Sequence, residues 1–428
     1  MLAAAVAGLL LVVKAAPAIE DAFRAPPTDL GVDLATARAY LEHYSPFTPE
    51  GAVRSGVAVW GPSGNGHPPS TSFWALPLAD LEPPVASAVL GSVTMLLLLI
   101  ELCSTLLTLG CPSAFVTAWA ALGFILGCSF MTTSHFAAGQ LSGAIGFLYF
   151  LAWRAGRGRG GDGRAGVALG AACSMKLFPG VVVLMFLAAR RWRAVIAAGA
   201  TYVAIAGIMT ARFGLQSWAR FFSQQAEVAK IWMNSIENQS LHGIVQHAFR
   251  PVCAVHGPIS PLAMAISIAL SLGLIGVAMW WSRGDGQARP PSSFDARFGL
   301  FVVLSVVTSQ WTWEHYTIIY ALPVAILAAE LVKAWRRAAG RPGSRISFAA
   351  MAALLAGIVA SWRIDMLTKI RLQASVHAGN RADHLRLHVY DFLGWGPGLV
   401  LLACFFVVVG RPAHRWLPLR LDPRPQRR

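Results

Sequence analysis

The sequence predicts an all-α polytopic membrane protein, and three features indicate this class: few charges, long apolar runs, and basic residues concentrated in alternate loops. Of the 428 residues, 56% are apolar and only 13% are charged, whereas a soluble domain carries about 25% charged residues. This composition excludes a disordered chain and argues against a soluble enzyme. Because a helix needs about 20 apolar residues to cross a bilayer, the apolar runs correspond to about ten crossings.

The predicted transmembrane helices are the apolar runs, and one further run is interrupted. They lie near residues 2–19, 84–109, 113–132, 136–153, 194–211, 260–281, 298–310, 316–332, 346–362 and 393–410. The apolar stretch 165–189 contains Lys176 and Pro179, and basic residues flank both of its ends. We therefore expect a re-entrant pair of half-helices there, because an opened backbone is tolerated in a bilayer where it faces protein or a wet cavity.

The distribution of basic residues predicts the orientation of the chain. With an internal amino terminus, most of the 35 Lys and Arg residues fall in the cytoplasmic segments 154–164, 190–193, 282–297, 333–345 and 411–428. This asymmetry follows the positive-inside rule, so the net charge of +15 needs no nucleic-acid partner. We expect one transmembrane domain over 1–410 with external loops at 20–83, 212–259 and 363–392, followed by a basic tail.

Polar residues crowd the external segments, which indicates a site at the outer membrane surface. A transporter usually has short external loops and binds its substrate at the bilayer midplane. Asp33 precedes the apparent helical run 34–41, so it can cap that helix or act as a general base. Trp313, Glu314 and His315 lie between two spans, where aromatic residues form an interfacial belt and a histidine can titrate near neutral pH.

Lys176 is the most informative single residue of the sequence. An ammonium group within an apolar stretch is costly, so it normally faces a cavity or a partner, and we expect an anion such as a lipid phosphate. Gln140 either lines the same cavity or forms a hydrogen bond between helices. The aromatic-rich segment 218–232 is predicted to be an amphipathic helix in the membrane interface.

Several short motifs follow one another over roughly residues 30–335. They are Asp33 with Ala37 and Tyr40, Pro68-Pro69 with Pro77-Leu78, Gly139-Gln140, Lys176-Leu177-Phe178-Pro179, Arg190-Arg191-Trp192-Arg193-Ala194, Asn238-Gln239-Ser240-Leu241-His242-Gly243 and Trp313-Glu314-His315. In this order they resemble glycosyltransferase family 87, the polyprenyl-phosphate-mannose-dependent membrane mannosyltransferases with the GT-C fold. The chain departs from that pattern at His67, where the family often has another aromatic residue, and at Tyr316, where a second histidine is common.

The resemblance implies an activity and a set of site residues. The activity is an inverting transfer of a mannosyl or related glycosyl residue from a polyprenyl-phosphate sugar to a hydroxyl of a glycolipid or glycan acceptor, on the external face of the membrane. Asp33 would be the general base, Lys176 would bind the donor phosphate, and His315 would assist catalysis. The expected substrate contacts are His67, Gln140, Asn238, Gln239, Trp313 and Glu314.

No cofactor is expected, because neither clustered carboxylates nor a C-x-x-C motif suggests a metal site, and no glycine-rich loop suggests a nucleotide. A divalent ion bridging Asp33 and the phosphate remains an open alternative. The composition, rich in Ala, Gly and Arg, indicates a bacterial plasma membrane.

Two other functions compete with glycosyl transfer. A lipid-linked sugar flippase or secondary transporter would show paired broken segments in an inverted repeat, and the sequence contains one such segment, 165–189. A membrane acyltransferase would use His135 or His315, but this alternative gives Asp33 and Lys176 no role.

Overall fold

The structure is a computed structural model of the chain. It describes residues 28–56, 67–110, 135, 139–158, 160–233, 235, 238–249, 259–283, 291–338, 398–399 and 401–405. The predicted spans 2–19, 113–132 and 346–362, the external loop 363–392 and the tail 411–428 lie outside these residues. Most of the predicted span 393–410 lies outside them as well.

Every regular element in the described part of the chain is helical, which confirms the all-α class there. Short 3-10 helices lie at Pro69–Thr71, Leu76–Leu78 and Glu314–Tyr320. The α-helices are α1 Thr28–Leu41, α2 Pro49–Ser55, α3 Ser72–Ala75, α4 Pro83–Thr108, α5 Ser142–Arg157, α6 Asp162–Met175, α7 Gly180–Ala188, α8 Trp192–Phe213, α9 Gln216–Trp232, α10 Leu241–Phe249, α11 Pro261–Ser282, α12 Pro291–Val307 and α13 Ala321–Ala338.

Helices α4, α8 and α11 are long and apolar enough to cross a membrane, and they are the only such helices in the described part. They match the predicted spans 84–109, 194–211 and 260–281 closely. The predicted span 136–153 corresponds to α5, which begins later and ends at Arg157, and the span 298–310 corresponds to α12, which begins earlier. The number of about ten crossings and the likeness to a GT-C fold remain predictions.

The predicted interruption of the stretch 165–189 is confirmed. Helix α6 ends at Met175, Lys176 has an extended backbone with φ −149° and ψ 149°, and α7 begins at Gly180. Pro179 has no backbone N–H and fixes its own φ, so it can precede a helix but cannot continue one. The break places the only lysine of this stretch at the end of a helix.

The suggestion that Asp33 caps a helix is wrong. Helix α1 begins at Thr28, with Asp29 in its first turn, so Asp33 lies inside the helix. The prolines at 26 and 27 precede this start, and a carboxylate in the first turn is favourable for the helix dipole. As a result, Asp29 and Asp33 are four residues apart and share one face of α1.

Glycines let α6 pack closely against α8. A Cβ atom at Gly166 would collide with the carbonyl oxygen of Ala194, and one at Gly170 would collide with that of Ala198. Small residues spaced by four allow helix backbones to approach each other in membrane proteins. The two helices are therefore in near backbone contact, and this contact fixes the position of the end of α6.

The segment that carries Asp33 is fastened to the helix bundle beside Lys176. The Thr71 hydroxyl donates to the Met175 carbonyl oxygen at 2.7 Å, and the Trp74 indole N–H donates to the Ser174 hydroxyl at 2.9 Å. Arg38 of α1 donates from Nε to the Ala79 carbonyl oxygen at 2.7 Å. These bonds hold α1 against the end of α6.

At its carboxyl end, α5 packs against α12 through an ion pair between the partly exposed Arg157 and the buried Asp295. The Asp295 carboxylate accepts from Arg157 Nε at 2.7 Å, from Arg157 Nη2 at 3.0 Å and from Trp153 Nε1 at 2.8 Å. Nearby, Arg191 forms an ion pair with Asp162 and lies over the ring of Phe186. Arg157 and Arg191 are thus each paired directly with a carboxylate.

Candidate functional site

Asp33 of α1 and His67 form a hydrogen-bonded pair beside the end of α6. His67 Nδ1 lies 2.9 Å from Asp33 Oδ1. The Asp33 side chain is only 2% exposed, whereas that of His67 is 19% exposed. The carboxylate is therefore covered, and the imidazole lies between it and the surface.

Lys176 is a buried ammonium group held by neutral oxygens. Its Nζ donates to Gln140 Oε1 and to the Tyr316 hydroxyl, each at 2.8 Å, and the residue is 6% exposed. In the part of the chain that is described, Lys176 forms no ion pair with a carboxylate. An ammonium group has three N–H donors, so these two bonds leave one of them for a further acceptor.

Gln140 links this lysine to α1. Its Nε2 donates to Asp29 Oδ2, while its Oε1 accepts from Lys176. Gly139 has φ 64°, a left-handed conformation that glycine adopts without a steric penalty, and the turn it makes places Gln140 just before α5. The Gly139-Gln140 motif therefore positions Lys176 and connects it through one amide to a carboxylate.

A cavity of about 310 Å³ opens beside these groups. His67, Lys176 and Tyr316 line it together with Phe178, Phe221 and Gln310. Two hydrogen-bonded groups therefore reach the same cavity. The pair Asp33–His67 contributes His67, and the chain Asp29–Gln140–Lys176 contributes Lys176.

Aromatic rings form one wall of the site. Phe178 stacks on Tyr316 with ring centroids 5.4 Å apart, and His315 contacts Tyr316 edge to face at 4.8 Å. Trp313 lies parallel to the His315 ring at 6.3 Å, and Trp232 of α9 contacts Trp313 at 4.9 Å. Of these rings, Phe178 and Tyr316 line the cavity beside Lys176, and an apolar lining strengthens electrostatic interactions there.

The pKa values of His67 and His315 are shifted in opposite directions. Burial lowers the pKa of His67, but the adjacent Asp33 carboxylate outweighs it, so the pKa lies above its usual value. For His315, burial and then the Lys176 ammonium lower the pKa well below the usual value. At neutral pH His315 is therefore a neutral imidazole, which can donate a hydrogen bond to an anion but adds no positive charge.

Asn238 and Gln239 form hydrogen bonds with the turn that carries Gln310, a residue of the cavity lining. The Asn238 side chain accepts from the backbone N–H groups of Ser240 and Thr312, each at 3.0 Å, and donates to the Gln310 carbonyl oxygen at 3.3 Å. The backbone N–H of Gln239 donates to the Thr312 carbonyl oxygen at 2.7 Å. These bonds fix the turn that carries Gln310, and substrate contact by either side chain remains a prediction.

The structure brings together four of the residues that the sequence singled out: Asp33, His67, Gln140 and Lys176. His315 and Trp313 lie in the adjoining aromatic wall. Glu314 begins the 3-10 helix at 314–320, and its side chain lies outside the described part.

Two participants, Asp29 and Tyr316, were missed as site residues by the sequence analysis. The i, i+4 spacing of Asp29 from Asp33 is a signal that could have identified the first. The bond from Lys176 to Tyr316 joins residues 140 positions apart, and Tyr316 was noted only as a departure from the family motif.

No metal site is visible in the described residues, where no group of three or more His, Cys, Asp and Glu side chains could hold an ion. Asp29 and Asp33 both lie near the cavity, but their oxygens accept from Gln140 and pair with His67. A reaction without metal therefore remains a prediction rather than a finding.

Comparison with known proteins gives one match. A family model described as glycosyltransferase family 87 matches residues 66–309, which is more than half of the chain. The matched range includes His67, Gln140 and Lys176, whereas Asp33 precedes it. Comparisons with curated proteins and with solved structures gave no match.

Proposed function

Because the chain belongs to glycosyltransferase family 87, we propose that it transfers a mannosyl or related glycosyl residue from a polyprenyl-phosphate sugar to a hydroxyl group. The acceptor is a glycolipid or glycan on the external face of the membrane, and the anomeric configuration is inverted. The protein is an integral membrane protein, and the bacterial plasma membrane is the proposed location. Its donor is a lipid substrate, so no cofactor takes part.

The observation that carries this proposal is the environment of Lys176. A buried ammonium group whose two partners are neutral oxygens has no counter-charge among the described residues, and a bound anion would offset the cost of burying it. The donor phosphate gains negative charge as the sugar leaves, so a fixed positive group stabilises the transition state more than the ground state. The third N–H of Lys176 is the donor proposed for this oxygen.

The remaining lining fits a substrate that is polar at one end and apolar at the other. Phe178, Phe221 and Tyr316 provide apolar surface beside the polar pair of His67 and Lys176. Helix α9 exposes Phe222, next to the buried Phe221, as an amphipathic helix in a membrane interface would. A lipid tail can then remain in the bilayer while its phosphate reaches Lys176.

A transfer assay tests the proposal. Membranes that contain the protein are incubated with radiolabelled polyprenyl-phosphate mannose, and the label is followed into glycolipid and glycan fractions. We expect label in a new glycosidic product, with matched membranes lacking the protein as the control. Label that crosses the bilayer on an unchanged donor would instead identify a flippase and would overturn the proposal.

The external location is tested by labelling introduced cysteines. Val53 is 74% exposed in α2, and Gly160 is an exposed residue in the segment between α5 and α6. A membrane-impermeant thiol reagent should label Val53→Cys in intact cells and label Gly160→Cys only after the cells are broken. The reverse pattern would place the site on the cytoplasmic face.

A further inference from the structure

We propose that Thr308, Ser309 and Gln310 form a sugar-binding wall of the cavity, and that the Gln310 side chain selects the donor sugar by binding one of its hydroxyls. The inference rests on the proposed glycosyl transfer and adds to it the group that recognises the sugar. It leaves the proposed roles of Asp33 and Lys176 as they are.

The lining of the cavity contains three kinds of residue. His67 and Lys176 are basic, and Phe178 and Phe221 are apolar. The third kind is neutral and polar, and its members in the segment directly after α12, named the neutral wall here, are Thr308, Ser309 and Gln310. A few polar groups in an otherwise apolar pocket fix the orientation of a ligand. A sugar ring is neutral and rich in hydroxyls, so the neutral wall suits the sugar and Lys176 suits the phosphate.

The two hydroxyl groups of the neutral wall are available as hydrogen-bond acceptors. Thr308 Oγ1 donates to the Leu304 carbonyl oxygen at 2.7 Å, and Ser309 Oγ donates to the Trp311 carbonyl oxygen at 2.8 Å. A hydroxyl has one proton to donate and two lone pairs with which to accept. Each oxygen can therefore still accept a hydrogen bond, and the hydroxyls of a sugar are matching donors.

Gln310 adds the one amide side chain of the neutral wall. It lines the cavity and is the exposed member of the three residues. An amide has two N–H donors and one oxygen acceptor, so it can bind both the oxygen and the proton of sugar hydroxyls. This pairing distinguishes a sugar that has a hydroxyl at the right position from one that lacks it.

The backbone of Gln310 is held by Asn238 and Ser240. The Gln310 carbonyl oxygen accepts from Asn238 Nδ2 and from Ser240 Oγ, each at 3.3 Å. Asn238 Oδ1 also accepts from the Thr312 backbone N–H at 3.0 Å, so the chain is fixed on both sides of Trp311. Asn238 is 2% exposed and does not line the cavity. It is therefore a positioning residue that acts through Gln310.

The donor sugar is assigned to the neutral wall because of its connection to the phosphate. Lys176 and the neutral wall line one cavity of about 310 Å³, which is at the small end of the range of about 300–1,000 Å³ for ligand pockets. The donor sugar is bonded directly to the phosphate, so both groups fit this volume together. An acceptor sugar has the same hydroxyl chemistry, and the test separates the two sources.

Binding of deoxygenated donors, measured without any acceptor, tests the assignment. Polyprenyl-phosphate mannose analogues that each lack one sugar hydroxyl compete with the radiolabelled parent donor for the purified protein. In the wild type, loss of the hydroxyl that Gln310 binds should weaken binding by about 3–10-fold. Gln310→Met keeps the length of the side chain and removes the amide, so it should weaken binding of the parent donor by a similar factor. With that one analogue it should show no further loss, because the two changes remove the same bond.

Three further variants serve as comparisons. Gln216→Ala is the matched control, because Gln216 is exposed at the start of α9 and does not line the cavity, so all donors should bind as to the wild type. Asp33→Asn removes the general base that the resemblance implies, so transfer should fall by about 10²–10⁴-fold without a change in donor selection. Asn238→Ala should reduce selection at the hydroxyl that Gln310 reads, whereas a purely structural role would weaken binding of all donors equally.

Two results would overturn the inference. One is a Gln310→Met protein, and a Gln310→Ala protein beside it, that discriminate among the donors as the wild type does. The other is unchanged donor discrimination with a raised KM for the acceptor, which would place the acceptor sugar on the neutral wall. Failure of the proposed function is distinguishable, because wild-type membranes would then transfer no sugar from the parent donor. Folding of each variant is checked by its elution as a single species in detergent.

Discussion

Charged side chains lie near both ends of α5, but the charges are compensated differently. At the carboxyl end, Arg157 forms two hydrogen bonds with the Asp295 carboxylate. At the amino end, about 24 Å away for 16 residues, Lys176 bonds only to an amide oxygen and a phenol in the described part of the chain. The carboxylates near it, Asp29 and Asp33, are each engaged with another side chain.

This difference separates a structural charge from a functional one. A buried ion pair with two parallel bonds satisfies both partners, so it can hold α5 against α12 without a ligand. A buried ammonium group with neutral partners has no counter-charge, so its burial is unfavourable until an anion binds beside it. We infer that the ion pair at the carboxyl end of α5 is structural, and that Lys176, beside the amino end, binds an anion.

The largest expected effect is on stability, at the paired end. Asp295→Asn removes the charge of a buried carboxylate and leaves the partly exposed Arg157 without its counter-charge. Removal of one member of a fully buried ion pair costs about 3–5 kcal/mol, which is the upper bound here. Thermal unfolding in detergent should show this loss, while the surviving folded protein should transfer sugar at the wild-type rate. A stable Asp295→Asn protein with slow transfer would show that the two ends are not functionally separate.

The next effect is on activity, at the unpaired end. Lys176→Met retains the apolar stem and removes the charge, so stability should be unchanged or slightly higher. The value of kcat/KM for the donor should fall by about 10²–10³-fold, as when a charge-stabilising donor is removed from an active site. Lys176→Arg should recover part of the loss. If Lys176→Met binds and transfers donor normally, the contrast between the two ends has no functional meaning.

The smallest effect is expected at an exposed pair that belongs to neither end. Arg54 and Glu42 form an ion pair at 3.2 Å, with both side chains more than half exposed. Such pairs contribute about 0–1 kcal/mol, so Glu42→Gln should change neither the melting temperature nor the transfer rate measurably. It also serves as the carboxylate-to-amide control for Asp33→Asn, and a marked loss of activity would extend the site to this surface.

The sequence predicted local features well because they depend on local chemistry. The apolar run 84–109 matches α4 within one residue at each end, since length and apolar composition decide such a helix. The break at Lys176 followed from Pro179 and from the cost of a charge in an apolar stretch. Asp33 was placed at a helix end because the apolar run starts after it, whereas Thr28 and Asp29 begin the helix earlier.

The pairings between distant residues could not be predicted. His67 was expected to contact substrate, but its bond to Asp33 joins residues 34 positions apart across a segment with no periodic pattern. The contact between Lys176 and Tyr316 depends on how α6, α7 and the 3-10 helix at 314–320 pack together. Hydrophobic periodicity specifies which face of a helix is buried, but not which polar side chain it meets there.

The glycines of α6 have a consequence for how the protein tolerates mutation. Gly166 and Gly170 do not line the cavity, yet a methyl group at either would push α6 away from α8, because it would meet a backbone carbonyl that cannot move aside. Lys176 follows directly after α6, so its ammonium group would move with the helix and lose its register with Gln140. In a random library, we expect inactive but well-expressed variants to map to these glycines, ten and six residues before the lysine.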